Sequence, residues 1–252
     1  MNKAAIVTGG GTGIGMGIAL QLIDAGYDVA VTYHHSDKGA FNVVDYAERC
    51  GRKATAIQAD ISKTQGIEKL FRDYGKAFDR LDLFVNNAGV TMKSDFLRTD
   101  EKLFDAICNL DFRGAYFCMQ SAARYMIERK IHGNIIAISS NNAYAHFADV
   151  SVYGSVKAAL NKLCEHIAIE LARYHIRVNV ISPGWTDTGA ERLDYKPNTY
   201  YKIPLKKWTT PEEIGKAVLF LASESADSIT GINMTIDNGA LLLSDKAEQY
   251  GL

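Results

Sequence analysis

The chain has 252 residues, 47% of them hydrophobic and 23% charged, with 28 Lys and Arg against 29 Asp and Glu. That length supports a proper core, so a disordered or disulfide-stapled chain is excluded, and the balanced charge gives no overall field for nucleic acid or an anionic membrane. The longest purely apolar runs, such as Ala217 to Ala222, fall far short of the roughly 20 residues a spanning helix needs.

Lys3 to Thr8 runs straight into a glycine cluster with no apolar signal region, which leads us to expect a cytoplasmic protein. Cys50, Cys108, Cys118 and Cys164 show no C-x-x-C spacing and sit mostly among apolar residues. They read as small hydrophobes in a reducing compartment, with neither a disulfide nor a metal site expected.

Along the chain, short β-branched runs alternate with longer stretches of helical spacing, the pattern of strands and helices around a buried parallel sheet. The expected strands are Ala4 to Thr8, Val29 to Tyr33, Ala54 to Gln58, Leu81 to Asn86, Asn134 to Ser139, Arg177 to Ser182 and Asn233 to Ile236. The expected helices are Gly13 to Ala25, Gly39 to Cys50, Lys63 to Phe78, Glu101 to Arg129, Val152 to Tyr174 and Glu212 to Ala222. Thr210, Pro211 and the acidic pair Glu212 and Glu213 mark one helix start chemically. No linker or repeat divides the chain, so one domain over residues 1–252 is expected. The polar stretch at about 185–210 reads as a substrate loop.

Thr8-Gly-Gly-Gly-Thr-Gly-Ile-Gly15 comes directly after the first strand and opens a helix, so an anion is expected at the helix amino end. Met16 and Gly17 stand where a nucleoside triphosphate loop would carry Lys and Ser or Thr, which favours a dinucleotide. The second strand ends Val31-Thr-Tyr-His-His-Ser36, with no acid before Asp37 to grip a ribose 2′-hydroxyl. This leans towards NADP(H), with Tyr33, His34, His35 and Ser36 beside the ribose; NAD(H) stays open. Tyr153 and Lys157 lie one helical turn apart, and an ammonium held near a phenol stabilises the phenolate, making the hydroxyl a usable acid or base.

These segments together resemble the short-chain dehydrogenase/reductases over nearly the whole chain. The matching residues are Thr8-Gly-x-x-x-Gly-Ile-Gly15, Asp60-Ile61, Asn86-Asn-Ala-Gly89, Asn109, Ser140, Tyr153-x-x-x-Lys157, Asn179 and Pro183-Gly184. The resemblance implies an α/β fold of the Rossmann type: a doubly wound parallel sheet with helices on both faces. It implies an oxidoreductase that interconverts a secondary alcohol and its carbonyl with NAD(P)(H). Tyr153 would be the acid and base, Ser140 would hydrogen-bond the substrate oxygen, Lys157 would tune the tyrosine and hold the nicotinamide ribose, and Asn109 would support a water-linked proton path to the lysine. Gly9, Thr12, Gly13, Ile14 and Gly15 would surround the pyrophosphate and adjacent ribose, with Asp60 and Ile61 at the adenine. Asn87, Ala88 and Gly89 would line the adenosine side, and Pro183, Gly184, Thr186 and Thr188 the nicotinamide. The family pattern also implies a homotetramer or homodimer. Asn238 stands where most relatives carry glycine.

For the substrate, Ser140, Asn142, Tyr144, His146, Tyr153 and Trp185 are the expected contacts. Aromatic faces with polar edges suit a sugar, polyol, steroid-like or hydroxyacyl alcohol. Tyr195, Tyr200 and Tyr201 would add to the wall. A 3-oxoacyl carrier-protein reductase is the near rival, with Arg129, Lys130 and Arg173 available to an acidic carrier, and an NADP(H)-binding sensor without turnover is the reading from outside enzymology.

Overall fold

The computed structural model describes residues 2–35, 37–189 and 202–243. Seven strands form one sheet: β1 (Ala4–Val7), β2 (Asp28–Tyr33), β3 (Ala54–Gln58), β4 (Leu83–Asn86), β5 (Asn134–Ile138), β6 (Arg177–Pro183) and β7 (Asn233–Ile236). Their order is β3-β2-β1-β4-β5-β6-β7, and every pairing is parallel. All seven expected strands are present, and central β1 is apolar and buried at every residue, as a strand covered on both faces must be. In β1, Ala4 and Ile6 pack into one core while Ala5 and Val7 pack into the other, as the two-residue period of a strand requires.

One face is covered by α1 (Gly13–Asp24), α2 (Lys38–Arg49) and α7 (Pro211–Ala222), the other by α3 (Thr64–Ala77), α4 (Glu101–Ile107), α5 (Ala115–Glu128) and α6 (Ser151–Ala172). The helical reading of Glu101 to Arg129 needs one correction. A π-helical turn, Cys108–Gly114, separates α4 from α5. Such a turn carries an extra residue, so it rotates the residues beyond it relative to an unbroken helix. The start of α7 is as the residues indicate: Thr210 Oγ1 accepts from the Glu213 backbone N–H, and the Glu213 carboxylate accepts from the Thr210 N–H. Reciprocal capping of this kind stabilises a helix by about 1 kcal/mol.

Asn238, the departure near the tail, has φ +56°, the left-handed region. Asparagine tolerates that region better than most residues, and here its Nδ2 also donates to Thr209 Oγ1 at 2.9 Å. Asn179 ties β6 to the segment before β7, donating to the Ile229 carbonyl and accepting from the Ile232 N–H. Among the described residues no helix is long and apolar enough to cross a membrane.

The strand order reverses between β1 and β4, whose neighbours lead away in opposite directions. In open parallel sheets that switch point leaves a crevice at the strands' carboxyl ends. Both the glycine cluster after β1 and Asn86 to Gly89 after β4 lie there.

Candidate active site

The loop after β1 is held in a shape that leaves donors free. Gly9 has φ +64°, and a Cβ on Gly15 would stand 2.3 Å from the Gly9 carbonyl oxygen, so the first turn of α1 lies flat on the loop. Thr12 is the N-cap of α1, yet its side chain caps nothing. The N–H groups of that turn therefore remain available at the positive end of the helix dipole. They open on a cleft of about 770 Å³ whose walls include Gly9, Thr12, Gly13, Ile14 and Gly15.

The opposite wall is the loop after β4, clamped to the first. Thr8 Oγ1 accepts from the backbone N–H groups of Asn87 (2.9 Å) and Ala88 (3.0 Å), and Asn87 Nδ2 donates to the Thr8 carbonyl. Asn87, Ala88 and Gly89 all line the cleft. At its far end stand Tyr33, His34, Asp60 and Ile61. Burial works against the Asp60 carboxylate, but hydrogen bonds from Ser62 and the Lys63 ammonium hold it at about 2. His34 Nε2 lies 3.9 Å from Asp60, whereas His35 stacks on His34 in solvent and lines no part of the cleft. Ser36 lies outside the described residues.

Tyr153 and Lys157 come from the first turns of α6, and both reach the cleft. The Lys157 ammonium is 5.5 Å from the centre of the Tyr153 ring and donates to the Ile138 carbonyl at 3.3 Å. Ser139 Oγ, at the end of β5, donates to the Lys157 carbonyl and steadies the helix there.

Lys157 pairs directly with Asp111, a residue that sequence reasoning did not single out. Asp111 Oδ2 lies 3.1 Å from Lys157 Nζ, and both side chains are almost wholly buried. Asp111 Oδ1 accepts from the Val90 N–H at 2.8 Å. Burial opposes the lysine's charge, but the Asp111 carboxylate, with Tyr153, holds its pKa above the usual value. The Asp111 carboxyl is also raised, since burial outweighs the pull of Lys157 and the Val90 N–H. Asn109 lines the cleft with an exposed side chain and makes no contact with the lysine. The π-helical turn is the physical reason: it changes which residue of Asn109-Leu110-Asp111 faces α6.

The chain is similar to known proteins over nearly its whole length. The family profile described as enoyl-(acyl carrier protein) reductase matches residues 9–240. A 3-oxoacyl-[acyl-carrier-protein] reductase of Staphylococcus epidermidis is 34% identical, over 95% of this chain and 99% of its own. The crystal structure of acetoin dehydrogenase from Enterobacter cloacae is 35% identical with a TM-score of 0.89, covering 98% of this chain and 99% of that one. A short chain dehydrogenase from Burkholderia cenocepacia, in complex with NADP, is 33% identical with a TM-score of 0.87, covering 94% of this chain and 97% of that one. The chain belongs to the short-chain dehydrogenase/reductase family.

In this family member a second cleft, of about 540 Å³, adjoins the first, and Ile14, Thr91, Ser139, Tyr153 and Thr188 border both. Ser140, Asn142 and Trp185, expected at the substrate, line it, and so do Pro183, Gly184 and Thr186, which were expected at the nicotinamide and do not border the larger cleft. Ser140 Oγ accepts from the Asn142 N–H at 3.1 Å, which fixes the serine at the mouth of β5. Thr188 lies against Gly13, within 3.3 Å of where a Cβ would be. Two expected contacts are not brought in. Tyr144 is half exposed, and its hydroxyl accepts from Asn233 Nδ2 at 2.9 Å; His146 is exposed on the same segment, and neither lines the cleft. The short 3-10 turn Asn141–Ala143 redirects the chain after Ser140, which a linear reading of Asn141 to Val150 does not reveal. Trp208 belongs to the expected substrate loop, while Asp111, Thr32 and Lys93 line the clefts without having been singled out in the sequence. Tyr195, Tyr200 and Tyr201 lie outside the described residues.

Proposed function

We propose that this short-chain dehydrogenase/reductase is an NADP(H)-dependent enzyme that interconverts a secondary alcohol and its carbonyl, with Tyr153 as acid and base. One observation carries the reading: Tyr153 borders both clefts, with the Lys157 ammonium behind its ring. A dinucleotide fits the larger cleft on the chemistry of its walls, where free N–H groups at the start of α1 would hold the diphosphate and Thr188 and Lys157 would stand at the nicotinamide end. Bound there, the nicotinamide supplies or accepts the hydride. The protein's part is the proton: Tyr153 Oη–H donates to the substrate oxygen in reduction and takes it back in oxidation, Ser140 Oγ–H hydrogen-bonds the same oxygen, and Lys157 stabilises the phenolate.

The preference for the phosphorylated coenzyme rests on the residues that end β2. Tyr33 and His34 occupy the position where a carboxylate would repel a 2′-phosphate, and the nearest acid, Asp60, is engaged by Ser62 and Lys63. For the substrate we favour a compact oxygenated carbonyl such as an α-hydroxy ketone or a sugar. Phe147, Trp185 and Trp208 give the second cleft flat apolar walls, and Ser140, Asn141 and Asn142 give it hydrogen-bonding groups. The similarity to acetoin dehydrogenase supports the same class. The similarity to 3-oxoacyl carrier-protein reductases supports the rival. A homotetramer is part of the proposal, and Phe104, Tyr116, Phe117 and Ile169, exposed on α4, α5 and α6, are apolar surface available for it.

The test is a panel of diacetyl, acetoin, sugars and 3-oxoacyl thioesters, monitored by nicotinamide absorbance in both directions. Turnover strongest with the small oxygenated compounds supports the proposal. Turnover confined to thioesters moves the chain to the rival, and coenzyme binding with no turnover makes it a sensor.

A further inference from the structure

We propose that Asp111 is a positioning residue of the reaction: its buried carboxylate completes a carboxylate, ammonium and phenol cluster, and sets the pH at which Tyr153 and Lys157 together release a proton. This rests on the reading of Tyr153 as the acid and base. The carboxylate stands 3.1 Å from Lys157 Nζ, which stands 5.5 Å from the Tyr153 ring. Its other oxygen is fixed by the Val90 N–H, and the approach is close, since a Cβ on Gly89 would lie 2.6 Å from Asp111 Oδ2. The carboxylate is thus held at one distance from the ammonium by the β4 loop.

Only 5.5 Å separates the Lys157 ammonium from the centre of the Tyr153 ring, so a proton lost from either member of this pair changes the field at the other. A fixed negative charge beside the pair retains that proton, and its removal makes the pair release it at lower pH.

Few other groups face the cluster. The π-helical turn adds Cys108, whose thiol is raised by burial and by Asp105 and Asp111, so that α4 contributes Asp105 through it. The carboxyl ends of β4 and β5 bring no charged side chain before Lys93, which lies on the wall of the second cleft. The charge on β6, Arg177, sits at the strand's other end, bonded to the carbonyls of Ile229 and Ser223. Among the described residues, Asp111 is the carboxylate in direct contact with Lys157.

The experiment compares the pH profile of kcat/KM for alcohol oxidation in wild type and Asp111→Asn. In parallel, ring-labelled tyrosine NMR tracks Tyr153 in the protein without substrate or coenzyme, with the signal assigned by its loss in Tyr153→Phe. The phenol is within about 9 Å of the carboxylate through Nζ, and an effective dielectric of about 20 places the expected shift near one pH unit, towards lower pH, in both readouts. Asp111→Glu, which keeps the charge, should stay with the wild type. Asp111→Ser, uncharged and smaller, should move with the amide and decides the matter if the amide does not fold. Midpoints that stay put or rise overturn the proposal, as does a fall in turnover that is equal at every pH. If no carbonyl compound is turned over at all, the catalytic reading fails, and the NMR titration still judges Asp111.

Discussion

Replacing Lys157 by methionine removes one half of a buried ion pair and leaves the other half in place. The two groups are 3.1 Å apart, with side chains 5% and 0% exposed. At an effective dielectric of about 20, charges at that distance attract by roughly 5 kcal/mol. Stranding one partner of such a pair commonly costs about 3 to 5 kcal/mol. Asp111 has a way to limit the loss, because it can keep its proton. Its carboxyl already sits above the usual range, since burial outweighs Lys157 and the Val90 N–H. A group raised in the fold contributes stability that is present at low pH and lost as pH rises through the folded value. Removing Lys157 raises Asp111 further and carries that window upward. With the carboxyl protonated throughout, the penalty is about 1.4 kcal/mol for each pH unit above about 4, which caps it near 4 kcal/mol at pH 7. The assay is urea unfolding at pH 5, 6, 7 and 8 for wild type, Lys157→Met and the double variant Lys157→Met/Asp111→Asn. The single variant should lose ground to wild type as pH rises, while the double variant should run parallel to it. A deficit equal at pH 5 and pH 8, or a double variant as unstable at pH 8 as the single one, would refute the reasoning.

Two further outcomes concern the coenzyme cleft. Gly15→Ala places a methyl 2.3 Å from the Gly9 carbonyl and 2.5 Å from Asn87 Nδ2, so the loop must shift; stability should drop by about 1 to 3 kcal/mol in thermal or urea unfolding and NADP(H) binding should weaken in fluorescence titration. Separate titrations with NADPH and NADH should show tighter binding of the former, and equal affinity would remove the argument built on Tyr33 and His34.

Much of this architecture is legible without coordinates, for reasons that differ by element. Strands such as β1 and β5 are continuous apolar runs because helices cover both their faces, and α7 announces its start through Thr210, Pro211 and Glu213. The glycine cluster and the Tyr153 and Lys157 pair are local in sequence, so spacing alone brings them to one site. A change of helical period, by contrast, is not carried by spacing. Between Glu101 and Arg129 a 3.6-residue reading runs straight through Cys108–Gly114, where the chain widens into a π turn and turns Asp111 towards α6. The carboxylate's role depends on Val90 and Lys157, which are 21 residues before it in one case and on another helix in the other, a tertiary fact. Tyr144 and His146 fail for a similar reason: being next to the site in sequence does not point them into it.

The central claim is that the Tyr153 hydroxyl is the group that passes the proton to and from the substrate oxygen. Tyr153→Phe deletes one oxygen and leaves Lys157, Asp111 and the α1 amino end intact. Measured side by side, NADP(H) affinity should be unchanged while kcat for the best carbonyl substrate falls by about 100-fold to 10,000-fold, the range general acid catalysis supplies. A phenylalanine variant that turns over at the wild-type rate would contradict the account.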